Sequence, residues 1–268
     1  MKKIEHKHAL ITGASSGIGL EISKYLAKKG MNIVITARRE ENLIELKKQI
    51  EDSYKVKVHI IAKDLSIKES PQEIYNFCKE NMISIDFLVN NAGYGFVDEF
   101  EEYENSELDD FLNVLLNSLV KLTHLFLKDM KQNKFGKILQ VSSVAGLIPS
   151  GSGAIGIYGN IKNFINEFSV TLNTTYKKSN IHVCSLCPGF TKTGFNERAG
   201  FKIDYSDVPS FLVMDSKEVA KQGVEATLSY KEVYIVKGGF NRTTVFLTKL
   251  FPKKFIRYVF TKIVNFGR

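Results

Sequence analysis

The sequence predicts a doubly wound α/β three-layer sandwich, a mostly parallel seven-stranded sheet covered by helices on both faces. Three observations predict it. Short apolar, β-rich runs alternate with longer segments of helical period from residue 8 to residue 236, a pattern that demands right-handed crossovers. Several runs, such as Ile33-Val34-Ile35, are apolar at consecutive positions, as strands covered on both faces must be. Finally, 268 residues that are 44% hydrophobic and 25% charged, with 19 Gly and 5 Pro, suffice for one full core. No repeat or composition break marks a second core. The expected organisation is one domain over 1–240 and an extension over 241–268.

The elements follow in order. Residues 8–12 read as a strand and 17–29 as a helix with Ile18, Ile22 and Leu26 on one face. A strand at 32–36 precedes a helix at 39–51, whose stripe is Leu43, Ile44, Leu46 and Ile50. Strands at 56–62 and 86–89 flank a helix opened by Ser70-Pro71, with proline in the first turn, where its missing N–H costs nothing. Residues 106–130 read as one long helix, 137–141 as a strand, 158–176 as a helix and 181–186 as a strand. After a loop, a helix at 216–229 and a strand at 233–236 complete the alternation.

Composition excludes several classes. Of the net charge of +8, seven cations and no acid lie in 241–268, so the body is nearly neutral. A broad basic face for nucleic acid is therefore not expected. Three cysteines cannot build a disulfide framework, and a reducing, cytoplasmic setting is expected. The start of the chain carries no apolar run of a secretory signal, and no uncharged stretch reaches the ~20 residues of a spanning helix. His6, His8, His59, His124 and His182 have no ligand spacing, so no metal is expected. Cys184 and Cys187 stand three apart on a strand and point to opposite faces, which favours a structural role.

The first strand runs straight into Thr12-Gly13-Ala14-Ser15-Ser16-Gly17-Ile18-Gly19 and then a helix. Gly13 permits a tight turn, Gly17 lets the backbone approach a pyrophosphate, and Gly19 lets the helix pack closely, while the helix N-terminus favours the anion. A Rossmann-like dinucleotide site follows, with Gly13, Ser15, Ser16, Gly17, Ile18 and Gly19 as contacts; the Gly-Lys-Ser/Thr ending of a triphosphate loop is missing. The second strand ends in Thr36-Ala37-Arg38-Arg39. An NAD site places a carboxylate there, whereas Arg38 and Arg39 can pair with a 2′-phosphate, so NADP is the expected cofactor.

Four more signatures come in order: Asp64-Leu65, Asn90-Asn91-Ala92-Gly93, Ser142-Ser143, and Tyr158-Gly159-Asn160-Ile161-Lys162. Together with the glycine turn they resemble the short-chain dehydrogenase/reductase family over residues 7–240. Lys162 stands one helical turn beyond Tyr158, and its charge is expected to stabilise a phenolate whose ordinary pKa is about 10. The resemblance implies that Lys162 also bonds the nicotinamide ribose and that Tyr158 exchanges a proton with the substrate oxygen. It implies that Ser143 holds that oxygen and that Asn117 keeps a water in the proton relay. It further assigns Asp64 and Leu65 to the adenine side and Asn91, Ala92 and Gly93 to cofactor backbone contacts. Pro188, Gly189, Thr191 and Thr193 are assigned to the nicotinamide amide. A homodimer or homotetramer is implied by the same analogy.

The match departs in one place. Ser143 and Tyr158 are fifteen positions apart, where the family usually has thirteen, and the glycine-rich run 149–156 can absorb the excess. Between the sixth strand and the following helix, 194–214 is rich in apolar residues; in the resembled family it covers the substrate, which suggests a small hydrophobic carbonyl or alcohol, including a 3-oxoacyl compound. In the tail, Phe255-Ile256, Val259-Phe260 and Ile263-Val264 recur every four residues among cations. Such a segment suits an anionic membrane surface, a subunit contact or a cover over the active site. The expectation is an NADP(H)-dependent oxidoreductase interconverting carbonyl and alcohol. A catalytically silent NADP-binding sensor, or a membrane-surface interaction protein on the same scaffold, is the alternative.

Overall fold

The computed structural model describes residues 4–95, 100–149, 154–193 and 213–258. Its sheet has seven strands: β1 (His8–Thr12), β2 (Asn32–Ala37), β3 (Val58–Ala62), β4 (Ile85–Asn90), β5 (Gly136–Val141), β6 (Ile181–Cys187) and β7 (Val233–Ile235). The order is β3-β2-β1-β4-β5-β6-β7 and every neighbouring pair is parallel. The chain winds outward from β1 to β3, then returns to β4 on the other side of β1. That reversal opens a crevice beyond the carboxyl ends of β1 and β4, where open sheets of this kind hold ligands.

The period of two along each strand sorts the core into two layers. Ile11, Ile33, Ile35, Phe87, Val89, Leu139 and Leu186 face α1 (Gly17–Lys28), α2 (Glu40–Ser53) and α7 (Ser216–Leu228). Leu10, Val34, Leu88, Ile138 and Val183 face α3 (Ser70–Glu80) and α5 (Ser118–Gln132) instead. Each fully buried side chain of this size contributes about 1.5–3 kcal/mol. Truncating fully covered Phe126, at the centre of the second layer, therefore costs about 3–5 kcal/mol.

Two elements differ from the sequence expectation. The helix expected over 106–130 is α4 (Asn105–Leu112) and α5, joined through a wider π-helical turn at Asn113–Asn117. That turn changes which residues share a face. After β7 the chain also forms α8 (Gly239–Leu250), which crosses the expected boundary at 240. Residues 253–258 are helical again beyond Pro252, whose carbonyl accepts from the Phe255 and Ile256 N–H groups. The remaining long helix, α6 (Ala154–Tyr176), packs against β6 and carries Tyr158 and Lys162.

Candidate active site

The glycine turn is shaped by backbone that other residues would strain. Gly13 and Gly17 have φ of 65° and 57°, left-handed values that favour glycine. A side chain at Gly13 would meet Ala92 Cα at 2.9 Å, and one at Gly17 would meet the Thr193 methyl at 2.9 Å. The loops after β4 and β6 therefore press on this turn from two sides. Gly19 packs against the Gly13 carbonyl and the Asn91 carboxamide. Ser15, Ser16 and Ile18 are half-buried around the start of α1; Ser16 caps the helix, and no acid stands in its first turn. A cradle of this shape, open to a helix N-terminus, fits a pyrophosphate.

Thr12, which the sequence reading left without a role, braces this cradle. Its hydroxyl accepts from Asn91 N–H at 2.9 Å and Ala92 N–H at 3.0 Å, and Asn91 Nδ2 returns a bond to the Thr12 carbonyl at 2.9 Å. Beneath it, Asn90 Nδ2 donates to Thr123 at 3.0 Å and Gln140 at 2.9 Å, a buried link to α5 and β5. Gly93 lies next to Leu115. At the ends of β2 and β3, Arg38 reaches toward Asp64 at 3.8 Å and is 65% exposed. Arg39 is exposed as the N-cap of α2, and Leu65 is buried. An exposed pair at that distance contributes little to stability.

The two serines at the end of β5 part company. Ser142 is buried and donates to the Lys162 carbonyl at 2.8 Å. Ser143 hydrogen-bonds Tyr158, while its oxygen accepts from Ala145 N–H at 3.1 Å. Lys162 Nζ donates to the Val141 carbonyl at 2.8 Å and lies 5.4 Å from the Tyr158 ring centroid. Burial pushes the phenol up to about 12, with the Ser143 hydrogen bond pulling it down and the nearby Cys187 pushing it up. Burial pushes the Lys162 ammonium down to about 8, opposed by Cys187. The lowering of the phenol expected from Lys162 does not appear among its causes; desolvation dominates both groups and disfavours phenolate and ammonium alike. In this arrangement the phenol holds its proton.

Below the pair, Asn166 Oδ1 accepts from Ser185 at 2.6 Å and from the Cys187 thiol at 3.3 Å. Nothing in the strand pattern pointed to Asn166; the signal was a polar residue one turn beyond Lys162. After β6, Thr191 is buried with its hydroxyl on the Gly189 carbonyl at 3.0 Å, and Thr193 lies against Gly17. This loop is strapped to Met214, which bonds Phe190 at 2.7 Å and Lys192 at 2.9 Å. Pro188 accepts from Val144 N–H at 3.0 Å. The 194–214 segment lies outside the described residues except for its last two, as do residues 150–153 of the glycine-rich run before Tyr158.

Asn117 does not join the cluster. It is exposed, and its Nδ2 donates to Asn113 Oδ1 at 2.9 Å, while Asn113 bonds the Ser66 carbonyl at 3.0 Å. The face of the π turn that meets α6 carries Leu115 and packs with Phe111, Ile161 and Tyr158. Asn117, two positions on, is bonded within its own turn and not to Ser143, Tyr158 or Lys162 among the hydrogen bonds of the described residues.

A glycine turn fit for a pyrophosphate, together with a half-buried phenol hydrogen-bonded to a serine, is the equipment of an oxidoreductase. Comparison with known proteins fixes the class. Residues 7–202 match the model of the short chain dehydrogenase family, and the chain belongs to that family. The very-long-chain 3-oxoacyl-CoA reductase of Rattus norvegicus is 30% identical over 241 residues, 87% of this chain and 74% of that protein. A short-chain dehydrogenase from Sphingobium yanoikuyae in complex with NADPH is 28% identical with a TM-score of 0.78, covering 85% of this chain and 87% of that one. A short chain dehydrogenase/reductase from Burkholderia phymatum in complex with NAD, 21% identical, covers 91% and 93% with a TM-score of 0.79 and shares the fold. The protein is an oxidoreductase acting on CH–OH groups, on a fold that binds a nicotinamide cofactor.

Proposed function

We propose that this protein is an NADP(H)-dependent reductase of a hydrophobic ketone, aldehyde or 3-oxoacyl compound, with Tyr158 as proton donor. The observation that carries the reading is the hydrogen bond between Ser143 and the half-buried Tyr158 phenol, with the Lys162 ammonium 5.4 Å from the centroid of its ring. The nicotinamide, when bound, supplies the hydride. Tyr158 gives its proton to the substrate oxygen, and Ser143 donates a hydrogen bond to the same oxygen as charge develops on it. Lys162, fixed by the Val141 carbonyl, keeps a positive charge behind the phenol below pH 8 or so. Gly13, Ser15, Ser16, Gly17, Ile18 and Gly19 hold the pyrophosphate against α1. Asp64 and Leu65 would flank the adenine side, Asn91, Ala92 and Gly93 would meet the cofactor's backbone, and Pro188, Gly189, Thr191 and Thr193 the nicotinamide amide. Arg38 and Arg39 favour NADP, since residues 36–39 offer no carboxylate to a ribose 2′-hydroxyl. A very-long-chain reductase among its relatives supports the acyl substrate class.

The test is NADPH oxidation with carbonyl compounds graded by chain length. Turnover should rise with hydrophobic size, and Tyr158→Phe should lower it about 10³-fold while NADPH still binds. Tight NADPH binding without turnover of any carbonyl would overturn the reductase reading.

A further inference from the structure

The last described helices carry an apolar face that is exposed among the described residues. In α8, Phe246, Leu247 and Leu250 are 61%, 45% and 61% exposed, beside exposed Arg242. Their partners in the helix, Val245 and Thr248, are buried against the body. Beyond Pro252 the pattern continues: Phe251 and Phe255 are 47% and 51% exposed, with rings 5.6 Å apart, while Ile256 is buried. Phe255 and Ile256 therefore split between two faces, while the rest of the stripe expected from sequence, 259–264, lies outside the described residues. Lys253, Lys254 and Arg257 are exposed on the flank of the Phe251–Phe255 face. Glu232 is the last acid in the chain.

We infer that this face docks on an anionic lipid surface. Apolar side chains at helical spacing beside cations with no acid among them match an interfacial helix, which buries its apolar face at the headgroup boundary and its charge among anionic lipids. A second copy is a poorer occupant, because a two-fold contact would bring Lys253, Lys254 and Arg257 close to their own images with no carboxylate of the segment to answer them. Among the described residues no helix is long and apolar enough to cross a membrane, so contact at the surface is the mode these helices can make. The face also adjoins the site: Asn241, at the start of α8, touches Gly189, and its Nδ2 lies 3.3 Å from the Met214 sulfur. Docking would set the loop after β6 close to the lipid, which, on the reductase reading above, suits a substrate with a long acyl chain.

The experiment is sedimentation of the full chain with phosphatidylcholine vesicles, with and without about 30% phosphatidylglycerol, at about 0.05 and 0.5 M salt. Binding is expected only with the anionic lipid and should weaken at least tenfold or so in high salt. The triple variant Lys253→Glu, Lys254→Glu, Arg257→Glu should lower the partition coefficient about 100-fold, at about fivefold per cation. Phe251→Ser with Phe255→Ser should lower it about tenfold or more, since two apolar anchors leave the lipid. Thermal melting and turnover of a water-soluble carbonyl should be unchanged in both variants, which separates this proposal from the reductase reading. No sedimentation of the intact chain with anionic vesicles overturns it. So does binding that neither variant weakens, or a dimer in solution that the double phenylalanine variant dissociates.

Discussion

Lysines are buried at both ends of β5, and they have opposite surroundings. At its carboxyl end Lys162 donates to the Val141 carbonyl and lies beside a phenol that hydrogen-bonds Ser143. At its amino end Lys137 has no hydrogen-bond partner among the described residues; its ammonium sits 3.5 Å from the centroid of the Tyr230 ring. Burial lowers both to about 8. A displaced pKa therefore does not single out a reacting group here. What separates the two is geometry: one charge is hydrogen-bonded at the carboxyl end of β5 beside the phenol, the other rests on an aromatic face at the opposite end of the strand.

Paired substitutions put that contrast at risk. Lys162→Met should lower kcat about 10²- to 10³-fold, whereas Lys137→Met should leave it within about twofold; equal losses would erase the distinction. Acid stability should report on the far edge. His182, buried beside Lys137, is pushed down to about 4, by burial first and Lys137 next, with the Lys231 carbonyl and Glu232 opposing. The unfolded chain binds this proton near pH 6.5, so stability is complete above that pH and is lost as pH falls toward 4. The loss is on the order of 3 kcal/mol. Chemical denaturation of His182→Gln across that window should show a slope shallower by this amount, and an unchanged slope would remove His182 as its source.

Lys137→Met sharpens the comparison further. The folded state lets go of this proton before the unfolded state does, so intact stability should climb from pH 8 toward 10.5. The variant should lose that climb and gain about 1 kcal/mol at neutral pH, because an uncompensated buried charge is removed. The smallest change belongs to the exposed Arg38 at the carboxyl edge. Arg38→Ala should weaken NADPH binding about tenfold and NADH binding hardly at all, by titration of each cofactor. Equal weakening would withdraw the 2′-phosphate contact.

The fold was legible because each strand is a short, mostly apolar run and each crossover shows helical period. The glycine turn was legible for the same reason: Gly13 and Gly17 stand where positive φ is required. The surroundings of Asn117, assigned from the family resemblance, were not legible because the π-helical turn at Asn113–Asn117 changes which residues share a face. The Thr12–Asn91 brace and the Asn166 cluster link residues far apart in sequence, and no local pattern encodes such contacts. α8 escaped notice because Asn241 to Thr244 is a run of polar and β-branched residues that suggests a loop. Packing of Val245 and Thr248 on the body overrides that local preference.

The brace from Thr12 to Asn91 has a consequence for dissection of the chain. A fragment ending after β3 holds the complete glycine motif and the arginines that follow β2, yet it has neither the carboxamide that bonds the Thr12 and Gly13 carbonyls nor the backbone donors that hold the Thr12 hydroxyl. The motif is thus a local spelling with a remote lock. Nucleotide affinity should emerge only when the segment through Ala92 is included, however much of the glycine signature a shorter piece contains.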